Sequence, residues 1–307
     1  MFKALNAIIE NKISESNLDF YTVIIGTKPS QGARSPKLWN RVYDYEQKRI
    51  QMVPLDVKSD KLEMVFNYLK EDKLCLGGAV AVPYKEKIIK FTNNRDEIIA
   101  GPQAVNCLVR EDGKLYGYNT DGIATYKVLN DNVSLNTIEQ IILLGTGGMA
   151  KAVSSEIQKN LSDINLLIFD RNNNCFTFQK GKLNKNKQEI DKKLNTVLIN
   201  CSSAGYYNEI NKRKINSEVF NIHTFLSRNS ISKNLVESIS TLKSFKNLVF
   251  ILDVIYQPDK TLLLSIADYL GIPNQNGLEI NLLQAAISFA KVHPDKNLNK
   301  IFKIMSS

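Results

Sequence analysis

The chain has 307 residues, of which 43% are hydrophobic, and a formal net charge of +9. This length and apolar content suffice for two domains with separate cores. The basic residues are scattered and form no stripe interleaved with aromatic residues, so the charge does not point to nucleic acid as a partner. No apolar run approaches the ~20 residues of a membrane span. The four cysteines are isolated, which argues against a disulfide framework and a zinc site.

The start of the chain, residues 1–10, predicts a short amphipathic helix, and Glu10 within it is atypical of a signal peptide. We therefore expect a cytoplasmic protein that binds no membrane. A strand follows at 21–26, and a polar loop leads from it to Ser35 and Pro36. Serine is a favoured helix N-cap and proline suits the first helical turn, so this pair predicts the beginning of a helix.

Two charged residues follow predicted strands in the first part of the chain. An apolar strand at 79–82 ends at Pro83, and Lys85 comes next, at the kind of strand exit where α/β scaffolds carry working residues. Residues 104–122 predict a hairpin that turns at 111–114 and ends near Asp121. Taken singly, Lys85 is typical of a surface lysine, and Asp121 of a turn former or a helix N-cap.

A glycine-rich turn stands between a predicted strand at 141–144 and a helical pattern that continues to about residue 161. Gly145, Gly147 and Ala150 occupy the three positions of the Gly-x-Gly-x-x-Gly/Ala pattern. There they allow a tight turn, a close approach of backbone N–H groups to a pyrophosphate, and close packing of helix on strand. The helix N-terminus adds unpaired donors and a partial positive charge. This stretch predicts dinucleotide binding.

The next predicted strand, 164–170, ends in Asp170, about 25 residues after the first glycine, near the position of the carboxylate that accepts from the ribose in NAD binders. Arg171 follows and could instead pair with the 2′-phosphate of NADP. We expect NAD from Asp170, while Arg171 leaves NADP open. Further strands at 197–203 and 248–254 predict a mostly parallel, doubly wound sheet.

Collinear motifs along nearly the whole chain resemble those of the shikimate/quinate dehydrogenase family. They are Gly26…Ser35-Pro36…Asn40, Val80-x-Val82-Pro-Tyr-Lys-Glu86, Ala104-Val-Asn106, Gly117-Tyr-Asn-Thr-Asp-Gly122, Gly145-Thr-Gly-Gly-Met-Ala-Lys-Ala152, Ile199-Asn-Cys-Ser-Ser-Ala-Gly205, Asp253-Val-Ile-Tyr256 with Pro258, and Gly277-Leu278 with Gln284-Ala285.

The resemblance implies an α/β fold of two domains. The first, 1–122, is an α/β substrate-binding domain that C-terminal helices at 277–307 rejoin. The second, 123–276, is a Rossmann-like, doubly wound NAD(P)-binding domain, here with an enlarged segment at 206–247. The implied activity is the NAD(P)-dependent interconversion of a ring hydroxyl and a ketone on a shikimate-like cyclic carboxylate, in aromatic amino acid biosynthesis through chorismate.

The resemblance also implies roles for particular residues. Lys85 is the acid/base and Asp121 its partner, and no metal is needed because the lysine supplies the polarising charge. The implied substrate-binding residues are Ser35, Asn106, Gln284 and Tyr256. The implied cofactor-binding residues are Gly145, Gly147, Gly148, Met149, Ala150, Asp170, Arg171, Ser202 and Gly277.

The chain departs from the family pattern at the substrate carboxylate. Ala33 replaces a serine that the family uses to bind this group, and Ala79 and Ala81 replace an asparagine and a threonine of the strand motif. Ser30 or Arg34 could supply the missing contacts, and arginine can bind a carboxylate with two parallel hydrogen bonds.

These departures leave other readings open. The substrate could be shikimate, quinate or an amino-shikimate. A reading of another class is a ligand-sensing relative without turnover, which the lost hydroxyls favour and the retention of Lys85 and Asp121 opposes. A third is a methylene-tetrahydrofolate dehydrogenase relative, which the ordered motifs oppose. We expect a monomer or a homodimer.

Overall fold

The computed structural model describes residues 2–14, 17–172, 174–206 and 231–307. The chain divides into two compact units, one comprising Met1–Ala124 with Leu282–Ser307 and the other Thr125–Asn281. The division falls a few residues from the predicted domain boundaries, inside two helices. Most of the predicted enlarged segment, including residues 207–230, lies outside the described residues. None of the helices described is long and apolar enough to cross a membrane.

The first unit is built on five strands, β1 to β5. Its elements are α1 Lys3–Asn6, β1 Phe20–Gly26, α2 Ser35–Tyr45, β2 Ile50–Asp56, α3 Leu62–Glu71, β3 Cys75–Val80, α4 Arg95–Ala100, β4 Cys107–Glu111, β5 Lys114–Tyr118 and the start of α5 Asp121–Asn132. The strand order is β2-β1-β3-β4-β5. β1 is parallel to β2 and β3, whereas β4 and β5 form the antiparallel hairpin that the sequence predicts.

Alternate residues of β1 enter two different cores, because successive side chains of a strand point to opposite faces. Tyr21, Val23 and Ile25 pack with α3, whereas Ile24 packs on the opposite face. That opposite face is covered by α2 and by the C-terminal segment of the chain, which contains the end of α9 Leu278–Val292 and α10 Leu298–Ser306. The C-terminal helices therefore complete the core of the first unit.

The second unit contains a sheet of seven strands in the order β12-β11-β10-β6-β7-β8-β9. Its elements are β6 Gln140–Leu144, α6 Gly148–Asn160, β7 Asn165–Phe169, β8 Cys175–Gln179, β9 Lys182–Asn186, β10 Asn195–Asn200, α7 Ile231–Lys243, β11 Asn247–Asp253, α8 Leu262–Tyr269 and β12 Asn274–Gln275. The five strands from β12 to β7 are parallel.

The sheet ends in an antiparallel hairpin that the sequence analysis missed. β8 pairs with β7, and β9 pairs with β8, so a hairpin follows β7 where a doubly wound fold continues with a helix and a parallel strand. Phe176 and Phe178 alternate with polar residues in β8, and Gly181 lies in the turn, which is the sequence signal of a hairpin. Residues 187–194 then lead from β9 to β10 without a helix.

A half-buried histidine links α2 to the end of α9 in the first unit. The Tyr43 hydroxyl on α2 lies 2.9 Å from Nε2 of His293, which follows α9. The Phe289 ring lies 4.5 Å from the imidazole, while Glu46 and Lys296 form an ion pair close by. Burial lowers the pKa of His293 to about 4. The folded protein therefore holds this imidazole in its neutral form.

We expect the His293 side chain to make the protein less stable in acid. Between pH 6.5 and 4 the unfolded chain binds a proton at His293 that the folded chain does not, so the free energy of unfolding falls as the pH falls, by up to ~1.4 kcal/mol per pH unit. His293→Gln keeps a hydrogen-bonding partner for Tyr43 and removes this titration. Urea denaturation of both proteins at several pH values measures the difference.

The free energy of unfolding must be compared between the unmodified protein and His293→Gln at each pH, because Asp253 makes this free energy change with pH in the opposite direction. Burial raises the pKa of Asp253 to about 6, so its contribution to stability is lost as the pH rises through 6. This contribution is common to both proteins and cancels in the difference. Parallel pH profiles for the two proteins would contradict the assignment to His293.

Candidate active site

The loop that carries Lys85 is anchored on both sides of this residue. Tyr84 is buried, and its hydroxyl donates to the carbonyl of Val57 over 2.6 Å. The carbonyl of Lys85 accepts a hydrogen bond from the backbone N–H of Val105 over 2.7 Å. The backbone of Lys85 is therefore held in place beyond the end of β3. The side chain extends from this fixed position.

Asp121 is the first residue of α5. Asn119 precedes it, and the Asn119 side-chain oxygen accepts from the backbone N–H groups of Asp121 and Gly122. This is the capping interaction that orients a helix start. Asn119 also donates to the carbonyl of Ala104 over 2.9 Å. The helix start is thus tied to the chain that leads into β4.

Lys85 and Asp121 meet in a nearly buried ion pair. Lys85 Nζ donates to Asp121 Oδ2 over 2.7 Å, and the two side chains are 22% and 8% exposed. A pair of this kind is held firmly, because removing one partner leaves the other charge without compensation in a poorly solvated place. The ammonium group has three donors, and this bond uses one of them.

A polar cluster forms around Thr120, the residue that precedes Asp121 in the chain. Asn106 is buried, and its amide donates to Thr120 Oγ1 over 2.9 Å and to Gln284 Oε1 over 3.3 Å. Its side-chain oxygen accepts from the backbone N–H of Thr120. The Thr120 hydroxyl also lies 2.8 Å from Ser288 Oγ. The structure therefore brings together the two predicted substrate-binding amides, Asn106 and Gln284.

Ser35 does not cap α2, so the predicted N-cap is wrong. The N-cap is Arg34, Ser35 and Pro36 are the first two helical residues, and no side chain caps the helix. Ser35 is half-buried. Among the described residues, its hydroxyl has no hydrogen-bond partner. The position of Ser35 is therefore not explained by capping.

The hydroxyl of Ser30 is bonded to a carboxylate at the end of β2. Ser30 Oγ donates to Asp56 Oδ2 over 2.5 Å, and the backbone N–H of Ser30 donates to the other oxygen of the same carboxylate. Asp56 is 6% exposed at the end of β2. A second carboxylate beside this one would be repelled. Of the two residues expected to replace the lost hydroxyls, Ser30 is thus a poor candidate and Arg34 remains.

The three alanines at the altered positions all contact the core of the first unit. Ala79 is buried in the cluster that contains Trp39 and Phe289, and Ala33 and Ala81 pack against this cluster. The substitutions have therefore extended an apolar surface at the positions where the family pattern places polar groups.

The glycine-rich turn of the second unit has the geometry that a dinucleotide requires. Gly145 has a φ of +116°, and a Cβ there would lie 3.1 Å from the backbone of Cys201. Gly147 has a φ of −79° and is the N-cap of α6, and a Cβ there would meet nothing within 4 Å. The open space at Gly147 leaves room for a phosphate against the backbone, at the N-terminus of a helix without a side-chain cap.

The remaining predicted residues of this turn differ in their exposure to solvent. Ala150 is fully buried, whereas Gly148 and Met149 at the start of α6 are half-buried. Among the described residues, no group of three or more His, Cys, Asp or Glu side chains could hold a metal ion.

The Asp170 carboxylate accepts hydrogen bonds from the loop that follows β7. Asp170 Oδ1 accepts from the backbone N–H groups of Asn172 and Asn174, and Oδ2 accepts from the Asn174 amide. Arg171 is exposed. Since both oxygens of Asp170 serve the turn, this carboxylate is less available to a ribose hydroxyl than the sequence suggests.

A buried polar network joins the ends of β10 and β11. Asn200 donates to Asp253 over 2.9 Å, and its side-chain oxygen accepts from the hydroxyl and the backbone N–H of Ser202. Asp253 also accepts from Thr261 over 2.7 Å. Through this network, Ser202 is positioned by residues that the sequence analysis did not assign.

Two further predicted residues follow β11 in the second unit. Tyr256 is half-buried. Gly277 donates its N–H to the carbonyl of Ile255, and a Cβ at this position would lie 1.9 Å from the carbonyl oxygen of Val254. Only glycine fits there, because the two backbone segments approach too closely for a side chain.

Comparisons with known proteins agree with this arrangement. The family model described as the shikimate dehydrogenase substrate binding domain matches residues 24–108. A shikimate dehydrogenase (NADP(+)) of Methanococcus vannielii is 26% identical over 308 residues, which cover 94% of this chain and 100% of that protein. The corresponding protein of Pyrococcus furiosus is 29% identical, over 87% of each chain.

Residues 24–108 are thus similar to the substrate-binding domain of shikimate dehydrogenases, and most of the chain is similar to whole shikimate dehydrogenases. This confirms the resemblance inferred from the motifs. The crystal structure of shikimate dehydrogenase from Aquifex aeolicus matches with a TM-score of 0.66 at 23% identity, covering 96% of this chain and 100% of that one. The Thermus thermophilus enzyme in complex with NADP(H) and shikimate matches with a TM-score of 0.66 at 16% identity, covering 94% and 98%. The predicted fold class is thereby also confirmed.

Several residues that support the candidate site were not predicted from the sequence. Asn119 stands two residues before Asp121 at a helix start, which is a recognisable capping pattern. Thr120, Ser288 and Asn200 gave no signal of their own, because their partners are distant in sequence.

We expect the two glycines of the turn to respond differently to alanine. Gly147→Ala should leave the thermal unfolding temperature unchanged but weaken the binding of NADP and NAD by roughly tenfold or more, because the Cβ fills the space open to the phosphates. Gly145→Ala should lower the free energy of unfolding by about 1–3 kcal/mol because of its positive φ. Calorimetric titration and thermal unfolding measure the two effects. Full cofactor affinity in Gly147→Ala would refute the assignment.

Proposed function

We propose that the chain is a shikimate dehydrogenase that uses NADP to interconvert a ring hydroxyl and a ketone on shikimate or a closely related ring acid. The observation that carries this proposal is the nearly buried Lys85–Asp121 ion pair, at 2.7 Å. Asp121 follows Thr120 in the chain, and Thr120 belongs to the polar cluster that contains Asn106 and Gln284. It places a proton donor and groups able to bind hydroxyls in one compact unit. In this proposal the first unit binds the substrate and the second binds the dinucleotide.

The proposed chemistry assigns a proton to Lys85. When bound, the nicotinamide would supply or accept the hydride at the ring carbon. In the reducing direction, the Lys85 ammonium donates a proton to the oxygen as the carbon–oxygen double bond becomes a single bond, and in the oxidising direction the amine takes this proton back. Asp121 keeps the amino group in place and compensates its charge.

The substrate ring is oriented by the other polar residues. Asn106 and Gln284 can each exchange their mutual 3.3 Å hydrogen bond for one to a ring hydroxyl, since this bond is longer than the 2.9 Å bond from Asn106 to Thr120. The Ser35 hydroxyl, which has no partner among the described residues, is available to the substrate carboxylate. Tyr256 is proposed as a further substrate contact of the second unit.

We favour NADP over the NAD that Asp170 led us to expect. The oxygens of Asp170 accept from the backbone and side chain of their own turn, which removes the main argument for a carboxylate–ribose bond. The relatives from Methanococcus vannielii and Pyrococcus furiosus are both named for NADP(+). Arg171, which is exposed at the same turn, can approach a 2′-phosphate.

We expect Lys85→Met to abolish turnover. An absorbance assay at the nicotinamide band, with shikimate, quinate and amino-shikimate each offered with NADP and NAD, measures the loss. General acid–base catalysis contributes about 10²–10⁴-fold in rate. Lys87→Met is the matched control, since Lys87 is exposed and bonds to Ser59; this variant should keep full activity.

Loss of activity must be separated from loss of folding. Lys85→Met alone leaves the Asp121 charge without compensation, whereas Lys85→Met with Asp121→Asn removes both charges. The double variant should unfold at a temperature close to that of the unmodified protein and still be inactive. Residual turnover above a hundredth of the original rate in this variant would refute the role of Lys85.

We propose that Arg34 binds the substrate carboxylate in place of the lost serine and threonine hydroxyls. It is the N-cap of α2, next to Ser35, and Ser30 is already bonded to Asp56. Arg34→Met should raise the KM for the ring acid by about 10- to 100-fold, the effect of losing ~1.5–3 kcal/mol of charge-assisted hydrogen bonding. The KM for NADP should not change. Lys37→Met, on the next turn of α2, serves as the control, and an equal effect in both variants would contradict the proposal.

The assay also decides among the alternative readings. Activity on quinate or amino-shikimate without activity on shikimate would indicate that Ala33, Ala79 and Ala81 have changed the substrate specificity of the pocket. Binding of NADP without turnover of any ring acid would favour the ligand-sensing relative. The cytoplasmic location and the monomeric or dimeric state stay predictions from the sequence.

A further inference from the structure

The second unit contains an open cavity of about 620 Å³ beside the hairpin that ends its sheet. This volume lies within the ~300–1,000 Å³ typical of small-molecule sites. The cavity is bounded by the end of β7, the start of β8, the end of β9 and the irregular chain after β9. It therefore lies where the hairpin and residues 187–194 replace the helix and parallel strand expected of a doubly wound fold.

The inner wall of the cavity is apolar. Phe169 and Cys175 are cross-strand partners on β7 and β8, and both belong to the core of the second unit. Ile190 packs against the same core from the chain after β9. Burial raises the pKa of the Cys175 thiol, so this wall carries no charge. It offers a surface against which a flat, apolar group can lie.

The outer wall of the cavity is basic. Lys185, Lys187 and Lys192 line it, together with a single acid, Glu189. Within the described ranges, none of the three ammonium groups forms an ion pair with a carboxylate. Lys192 is half-buried, with its Nζ 6.0 Å from the centre of the Phe245 ring. Three lysines against one acid leave an excess of positive charge facing the cavity.

The cavity is continuous with the loop that the dinucleotide is proposed to contact. Asn174 lines the cavity, and it bonds to Asp170 through both its backbone N–H and its side-chain amide. The carbonyl of Phe169 accepts from the N–H of Gly145 over 2.8 Å, so the residue that forms the inner wall also fixes the first glycine of the turn.

We propose that this cavity binds a phosphate monoester carried on a nucleoside, with the phosphate held by Lys185, Lys187 and Lys192. A phosphate dianion matches the excess positive charge, and the inner wall can contact a base. The Asn174 amide donates one N–H to Asp170 and the Asn186 amide donates one to Gln188, and the second N–H of each amide can donate to a sugar. The lysines belong to the hairpin and the chain after it, whereas the sequence directed attention to Asp170 and Arg171 on the loop after β7.

Two sources could present this chemistry. One is the 2′-phosphate that distinguishes NADP from NAD, in which case the lysines determine cofactor choice, and this version rests on the proposed function. The other is a separate nucleotide that binds beside the cofactor. Both place a ribose phosphate among the same three lysines.

The test is a calorimetric titration of the full-length protein with adenosine 2′,5′-bisphosphate and with adenosine 5′-monophosphate. The variants are Lys192→Met and the double variant Lys185→Met with Lys187→Met. Lys182→Met and Lys193→Met are the matched controls, because they lie on β9 and next to Lys192 without lining the cavity. The ratio of kcat/KM for NADP to that for NAD is measured on the same proteins.

A loss of bisphosphate affinity of roughly tenfold or more in the cavity variants, with unchanged monophosphate affinity and an equal fall in the NADP-to-NAD ratio, supports the first source. Equal weakening of both nucleotides with an unchanged ratio supports the second. If neither nucleotide binds more weakly to the cavity variants than to the controls, the inference is wrong. These titrations need no turnover, so inactivity on every ring acid would count against the proposed function alone.

Discussion

The ion pair between Lys85 and Asp121 is the constraint on which the first unit's site depends. It ties the segment beyond β3 to the first residue of α5, and Asn119 and Tyr84 hold its two ends in place. Because both side chains are largely removed from solvent, the pair is stable only while both charges are present. The same interaction therefore ties two segments of the first unit together and holds the ammonium group to which the proposed function assigns proton transfer.

In the second unit, a network of hydrogen bonds between neutral side chains and one buried acid plays a comparable role. Asp253 accepts from Asn200 and Thr261, and Asn200 in turn orients Ser202. The network connects the ends of two adjacent parallel strands, which is where α/β sheets bind their ligands. The polar groups of this network form hydrogen bonds with each other, so they can be buried at little cost. The same hydrogen bonds fix the positions of the strand ends, where the cofactor is proposed to bind.

The proposed substrate site and the sheet of the second unit depart from the expected pattern in different ways. At the proposed site of the substrate carboxylate, alanines that pack on the core stand where the family pattern has polar residues, and Arg34 and Ser35 lie at the start of α2. At the end of the second unit's sheet, a hairpin stands in place of a helix and strand, and it brings lysines to a cavity. Both changes leave the Lys85–Asp121 pair and the glycine turn intact, so they alter recognition rather than chemistry.

The sequence by itself determined the fold class and the glycine turn, and its resemblance to a known family added the Lys85–Asp121 pair. These features depend on short-range patterns: alternation in strands, glycines at a strand–helix junction, and motifs in a recognisable order. Only the tertiary structure decided that Asp56 occupies the hydroxyl of Ser30 and that the turn after β7 uses both oxygens of Asp170. Hydrogen bonds with partners far along the chain, and competition between a local turn and a ligand for one carboxylate, leave no periodic signal in a sequence. The lysine-lined cavity likewise exists only because β9 pairs back along β8 and directs the following chain across the sheet.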